Sequence, residues 1–210
     1  MRTTTDVNRE EQMSKVVAQM TVSLDGYFTG PNDGPGRGLG DGGERLHYWV
    51  FGGPWSYAQE PKGEATGVDK QLLEESSARI GAVVGGRWTY ESAGAWGGRN
   101  PWPVPFYILT HRPEDEPSGG GFQFVNGLDA ALAQAKEAAG QKDVGIMGGD
   151  VIRQVLASGR LDELGVSVAP VILGGGKRLF DGVSPDVVLE QIDTVQSPWV
   201  THLRYRVLNR

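Results

Sequence analysis

Apolar residues along this chain come in short bursts, and most bursts are closed by glycine. Val16, Val17, Ala18, Met20 and Val22 form the first, dense enough for a strand buried on both faces. Ser23, Leu24, Asp25 and Gly26 close it with turn chemistry. Residues 80–84, 104–110, 122–125 and 143–147 repeat the pattern, and each predicts a further strand. Between them the spacing becomes helical. Residues 44–51 read as a short amphipathic helix and 68–78 as a second; a third is capped by Asn126 and stopped by Gly140. A fourth carries Val151, Ile152, Val155 and Leu156 and ends at Gly159.

The last third changes period. Leu164, Val166 and Val168 alternate, and residues 187–195 and 201–207 read as two long strands around a Ser197-Pro198 turn. In the final strand Thr201, Leu203, Tyr205 and Val207 share one face; His202, Arg204 and Arg206 take the other. Strands alternating with helices predict an α/β protein of three layers, α/β/α. Its sheet is mixed but mainly parallel, with an antiparallel C-terminal hairpin. Residues 1–14 read as a disordered extension and 15–210 as a single domain without an internal linker.

Composition narrows the function classes. Glycine supplies 32 of 210 residues with no fixed period, so the excess belongs to turns and close backbone approaches rather than to a repeat. Net charge is −6 and no basic block occurs, which disfavours nucleic acid as a partner. Without cysteine there is no disulfide, thiolate metal site or thiol nucleophile; no metal is expected, and a reducing cytoplasm fits. No apolar run is long enough for a membrane span, and none follows the first residues as a signal peptide would.

Four places offer chemistry, each at a predicted strand end. Thr21, Val22, Asp25 and Gly26 precede residues 30–43, a glycine- and proline-rich stretch that reads as a mobile or irregular flap. Gly85 and Gly86 lead into Arg87 and Thr89 at a helix start, a combination suited to phosphate. Thr110, His111 and Arg112 could hold a ribose 2′-phosphate. Gly148 and Gly149 form a tight turn into Asp150, Val151 and Ile152. Each has a plainer reading as an ordinary turn or solvated loop. The Rossmann glycine order is absent, and Arg178 stands where a P-loop at 174–178 needs Ser or Thr.

These motifs together resemble the dihydrofolate reductase-like superfamily. The nearer likeness is to the reductase domain of the bifunctional riboflavin-biosynthesis deaminase-reductase. It rests on residues 23–26, 84–92, 109–112, 147–150 and 170–180, and covers residue 15 to the C-terminus. The resemblance implies NADPH as cofactor. Arg87 and Thr89 would sit at its phosphates, with Thr110, His111 and Arg112 at the 2′-phosphate. Gly148 and Gly149, joined by a cis peptide, would lie against the nicotinamide and pyrophosphate, with residues 150–152 beyond. Thr21 and Val22 would line the nicotinamide site.

On the substrate side the resemblance calls for a buried acid on the helix after the flap. With Trp49 at that helix's tryptophan position, the acid's place falls on Leu46; Glu44 and His47 are nearby catalytic candidates out of register. His47 and Trp49 are the substrate-binding candidates. The implied activity is NADPH-dependent reduction of a small heterocyclic or ribosyl substrate, nearest to 5-amino-6-(5-phosphoribosylamino)uracil. Dihydrofolate reduction and a non-catalytic NADPH sensor are the alternatives, and a homodimer is expected by analogy.

Overall fold

The apolar bursts become strands and the glycine pairs become the turns behind them, in a computed structural model that describes residues 14–59, 61–184 and 186–208. The strands are β1 (Val16–Ser23), β2 (Tyr27–Thr29), β3 (Ile80–Gly86), β4 (Phe106–Leu109), β5 (Phe122–Val125), β6 (Asp143–Met147), β7 (Glu163–Ala169), β8 (Lys177–Arg178), β9 (Val188–Gln196) and β10 (Thr201–Leu208). The helices are α1 (Gly67–Arg79), α2 (Arg87–Ser92), α3 (Leu128–Ala139) and α4 (Gly149–Ala157). Eight strands form one sheet in the order β5-β4-β3-β6-β1-β7-β10-β9. The first six run parallel; β10 returns antiparallel to β7, and β9 to β10. The mixed, mainly parallel sheet and its C-terminal hairpin are therefore as the alternation predicted. The segment assigned to a disordered extension, residues 1–14, lies outside the described residues except for Ser14.

Side-chain alternation divides the core. Val16, Ala18 and Val22 of β1 join Leu164 and Val166 of β7 under α3 and α4, which contribute Ala131, Leu132, Ala135, Val151, Ile152 and Val155. The opposite face carries two smaller clusters. Near β4 and β5, Phe106, Ile108, Phe122 and Phe124 pack with Tyr90, Trp96 and Trp102. Near β7 and β10, Leu46, Trp49, Ala169 and Val200 pack together with Leu73. Full burial of one such side chain stabilises by about 1.5–3 kcal/mol, so each cluster is a substantial local anchor.

Two helical expectations are corrected. Residues 44–51 are not an amphipathic helix: a 3-10 turn covers Gly43–His47, followed by irregular turns. Glycines at positive φ, Gly42 before and Gly52 after, bracket the segment, and Trp49 is drawn inward to hydrogen-bond with the sheet. Asn126 does not cap α3 either. Gly127, at φ 90 and ψ 132, takes the cap position, a backbone geometry that favours glycine.

Residues 30–43 are irregular, as their composition predicted, but held by specific bonds. Gly30 N–H donates to Leu39 O at 2.7 Å, and Leu39 N–H donates to the Tyr57 hydroxyl at 2.6 Å. The Asp33 carboxylate accepts from Lys177 Nζ at 2.6 Å and from Trp88 Nε1 at 2.7 Å. Lys177 also lies 4.6 Å from the Trp88 ring centroid. The loop is thus tied to both β8 and α2.

Candidate active site

A cavity of about 820 Å³ opens on the face of the sheet away from α3 and α4. That is ample for a small ligand and part of a dinucleotide. The loop contributes Asp33 and Leu39, the 3-10 turn and its sequel His47 and Trp49, α2 Thr89 and Ser92, and the sheet Thr21, Ser167 and His202. Gly148 closes one end. Phe28, Phe51, Trp55, Tyr57, Trp88 and Trp96 make its walls aromatic, as a flat ring would require. Thr29, Ser92 and Trp55 line it, and each carries a buried polar side-chain atom without a partner among the described residues. Such atoms cost free energy unless a ligand or water meets them.

The glycine turns are packed tightly. Gly148 has φ +92, and a Cβ there would stand 2.2 Å from Thr89 Oγ1. A Cβ on Gly149 would meet the Phe28 ring at 2.4 Å, and one on Gly85 the Phe106 ring at 2.6 Å. Gly86 is looser, with Val151 Cγ2 at 3.2 Å. Contact between α2, β2 and the β6–α4 turn therefore demands glycine before any ligand does. The described peptide bonds are all trans, so the implied cis bond at 148–149 is corrected: positive φ at Gly148 turns the chain instead. The first amides of α4 have no intrahelical partner and point beyond this turn. Asp150 is exposed and pairs with Arg153. Val151 and Ile152 have side chains buried in the core, which leaves only their backbone for a ligand. Val22 is likewise a core residue.

Cationic groups gather beyond β4, but in balanced company. Arg87 contacts Glu91 at 2.6 Å and Asp115 at 3.2 Å, and its guanidinium lies 5.0 Å from the Phe124 centroid. Its Nη1 is buried without a partner among the described residues. Arg112 is 62% exposed at its side chain and reaches Asp115 at 3.4 Å. Thr110 is buried and accepts from Arg112 N–H at 3.1 Å, while His111 is exposed. Asp115 thus bridges both arginines. The set fits a phosphate that competes with Asp115, and the glycine turn fits a backbone-bound pyrophosphate.

Asp25 and Gly26 serve the neighbouring turn. The Asp25 carboxylate accepts from Leu173 N–H at 3.1 Å and Gly174 N–H at 2.8 Å. The Ser23 hydroxyl is the main influence holding its pKa down to about 2, assisted by these two amides against a partial loss of hydration. Gly26, at φ +87, accepts from Leu179 N–H through its carbonyl. Neither lines the cavity.

The substrate end differs most from expectation. His47 lines the cavity, and burial pushes its pKa down to about 4, so the ring is neutral near pH 7. Trp49 also lines it; its Nε1 donates to Thr21 Oγ1 at 2.9 Å. Glu44 is half-buried in the 3-10 turn and does not reach the cavity. Leu46, where the acid was placed, is wholly buried in an apolar cluster. Two carboxylates are buried among the described residues: Glu163, which is engaged by Lys15 and Arg79, and Asp69, 3% exposed, in the first turn of α1, the first α-helix after the loop. Its side chain meets His202 Nε2 at 2.8 Å, and His202 Nδ1 meets Ser167 Oγ at 2.8 Å. Sequence reasoning missed all three. An acid in a first helical turn reads as a dipole partner, His202 as one polar position of an alternating strand, and Ser167 as a filler between valines.

The RibD C-terminal domain family model matches residues 14–202. No curated protein matches the chain. A protein provisionally assigned to riboflavin biosynthesis from Shewanella sp. PV-4 is 22% identical with a TM-score of 0.69, covering 92% of this chain and 99% of its own. Dihydrofolate reductase from Enterococcus faecalis, complexed with NADP(H) and RAB-propyl, is 17% identical with a TM-score of 0.59, covering 92% and 96%. A Thermotoga maritima diaminohydroxyphosphoribosylaminopyrimidine deaminase/5-amino-6-(5-phosphoribosylamino)uracil reductase is 12% identical with a TM-score of 0.60, covering 97% of this chain and 59% of its own. With the sheet order and glycine turns already described, these findings place the chain in the RibD C-terminal domain family, on the dihydrofolate reductase-like fold.

Proposed function

We propose that this protein is an NADPH-dependent reductase that transfers hydride to a small heterocyclic or ribosyl substrate. The substrate nearest in kind is 5-amino-6-(5-phosphoribosylamino)uracil. One observation carries the reading: a large aromatic-walled cavity ends on the Gly148 turn at one side and on a buried acid–imidazole–hydroxyl chain at the other. Family membership supports reduction, and the Enterococcus faecalis neighbour with bound NADP(H) supports the cofactor. Asp69 is a buried acid on the first α-helix after the loop, which supports dihydrofolate reduction as the second reading.

When bound, a dihydronicotinamide supplies the hydride. The α4 amides and the Gly148 turn would hold its pyrophosphate, and Arg112 and His111 its 2′-phosphate. Thr21 and Trp49 fix the floor through their hydrogen bond, and the tied 30–43 loop keeps water off the reacting carbon.

The test is NADPH consumption by the purified protein with each of the two substrates. Turnover with the aminouracil establishes the reading, and turnover with dihydrofolate alone replaces it by the second. NADPH binding without turnover across both leaves the sensor. We further propose a cytoplasmic homodimer, for which light scattering at micromolar concentration is decisive.

A further inference from the structure

Three adjacent strands present three polar side chains at one level. Thr21 of β1 pairs in register with Ser167 of β7, and Ser167 with His202 of β10. All three line the cavity, as do Gln19, Glu163 and Arg204 further along the same strands. Ser167 is 1% exposed and His202 7%. The imidazole uses both nitrogens, Nδ1 toward Ser167 Oγ and Nε2 toward Asp69 Oδ1, each at 2.8 Å. The Trp49 ring stands edge-on to it with centroids 5.0 Å apart. Asp69 does not line the cavity; Ser167 and His202 do. The acid therefore communicates with a ligand through two other side chains.

We infer that Asp69, His202 and Ser167 form a proton relay whose delivering atom is Ser167 Oγ; the inference rests on the reductase reading above. Hydride adds to the electrophilic carbon of a C=N or C=O bond of the substrate, and the π pair moves to the heteroatom. That atom takes the Ser167 hydroxyl proton. Ser167 Oγ takes the Nδ1 proton of an imidazolium His202, which is left neutral with its Nε2–H donated to the Asp69 carboxylate. One hydride, which a bound dihydronicotinamide would supply, and one proton are consumed per substrate, and His202 regains its proton from solvent. Ser167 is the catalytic residue of the relay, while His202 and Asp69 are positioning residues.

The same three side-chain types could instead make a nucleophilic serine. The strand argues against it. β7 lies between β1 and β10, and its backbone is committed to ladders on both sides, so no pair of amides is free to hold an oxyanion beside Ser167.

The experiment has two arms. In the first, nitrogen-15 shifts of the histidine rings are followed against pH in wild type and Asp69→Asn, with His202 assigned from His202→Gln. Asp69 from α1 is the charged group in contact with His202; Ser167 from β7 and Trp49 are neutral, β9 sets Val195 opposite it, and His47, Asp193 and Arg204 line the same cavity. The relay requires that the His202 ring change its protonation state as the pH is varied, rather than stay in one tautomer. Asp69→Asn, which removes the carboxylate that Nε2 faces, should change the pH response of both ring nitrogens. A ring locked in one neutral tautomer throughout overturns the relay, whatever the substrate.

The second arm measures NADPH oxidation with 5-amino-6-(5-phosphoribosylamino)uracil and with dihydrofolate. Ser167→Ala should lower kcat roughly a hundredfold with KM for NADPH unchanged, and Ser167→Thr should recover part of it. An unchanged kcat in Ser167→Ala overturns the relay. So does an aryl ester hydrolysed by wild type but not by Ser167→Ala. Wild type that consumes NADPH with neither substrate fails the reductase reading instead, and the imidazole titration then decides the relay alone.

Discussion

At the Gly148 end of the cavity the chain offers mostly backbone; at the Trp49 end it offers side chains. The first end is made of turns, in which Gly85, Gly148 and Gly149 let three elements close on one another and leave helix amides facing out. The second is made of Thr21, Trp49, Asp69, Ser167 and His202, drawn from three strands, one turn and one helix and tied by hydrogen bonds. A backbone site tolerates changes in exposed neighbours but not a single added methyl. A side-chain site tolerates a methyl but not the loss of one partner. The two ends should therefore fail in different ways.

The largest expected effect is Trp49→Ala. Removing this buried ring and its bond to Thr21 should cost about 3–5 kcal/mol in urea unfolding. NADPH affinity of the folded fraction should be close to wild type. Equal loss of cofactor binding would show that the two ends are one unit. Gly148→Ala should do the reverse: the positive φ alone costs about 1–3 kcal/mol, and the contact with Thr89 adds to it. NADPH binding should collapse with it. Thr89→Ala in the same chain should restore part of the stability but not all, because the backbone angle remains; full restoration would mean that the clash alone was at fault.

Arg112→Ala comes next. A charge-assisted contact to phosphate is worth about 1.5–3 kcal/mol, so NADPH affinity should fall by about one to two orders of magnitude while NADH affinity stays. Equal loss of both cofactors in a titration would remove Arg112 as the reader of the 2′-phosphate.

His47 sharpens the comparison through pH. Its folded pKa, near 4, lies below the ordinary 6.5, so the unfolded chain binds the extra proton first. Its contribution to stability is complete above pH 6.5 and is lost as pH falls toward 4. Thermal unfolding of His47→Gln should show a shallower decline across that window, with no difference from wild type in slope above pH 7. The smallest effect belongs to Asp115→Asn. Freeing Arg87 and Arg112 from a half-exposed carboxylate is worth about 0.2–1 kcal/mol, so NADPH should bind a few-fold more tightly and NADH should not. Tighter binding of both would place Asp115 elsewhere in the site.

The contrast also explains what could be read in advance. Strand and turn assignments held where alternation and glycine were local, as in 143–149 or the C-terminal hairpin. They slipped where a distant partner decided. Residues 44–51 carry helical spacing, yet Trp49 bonds a strand 28 positions earlier and the segment winds as a 3-10 turn. Asn126 is a good capping residue, but the adjacent Gly127 reaches a φ that asparagine's neighbour in a helix would not need. The acid was sought one turn from Trp49 because spacing was the guide; it lies on the next helix, 20 positions beyond.

What the sequence by itself determined is the alternation of strand and helix, the parallel-then-antiparallel sheet, and the glycine turns at strand ends. These follow from side-chain period and backbone freedom within a few residues. Only the tertiary structure decided the substrate end. Asp69, Ser167 and His202 are up to 133 positions apart, and their meeting depends on strand order and register rather than on any local pattern. Burial then gives a lone Asp, a lone Ser and a lone His a shared hydrogen-bonded geometry, because polar groups removed from water must find one another.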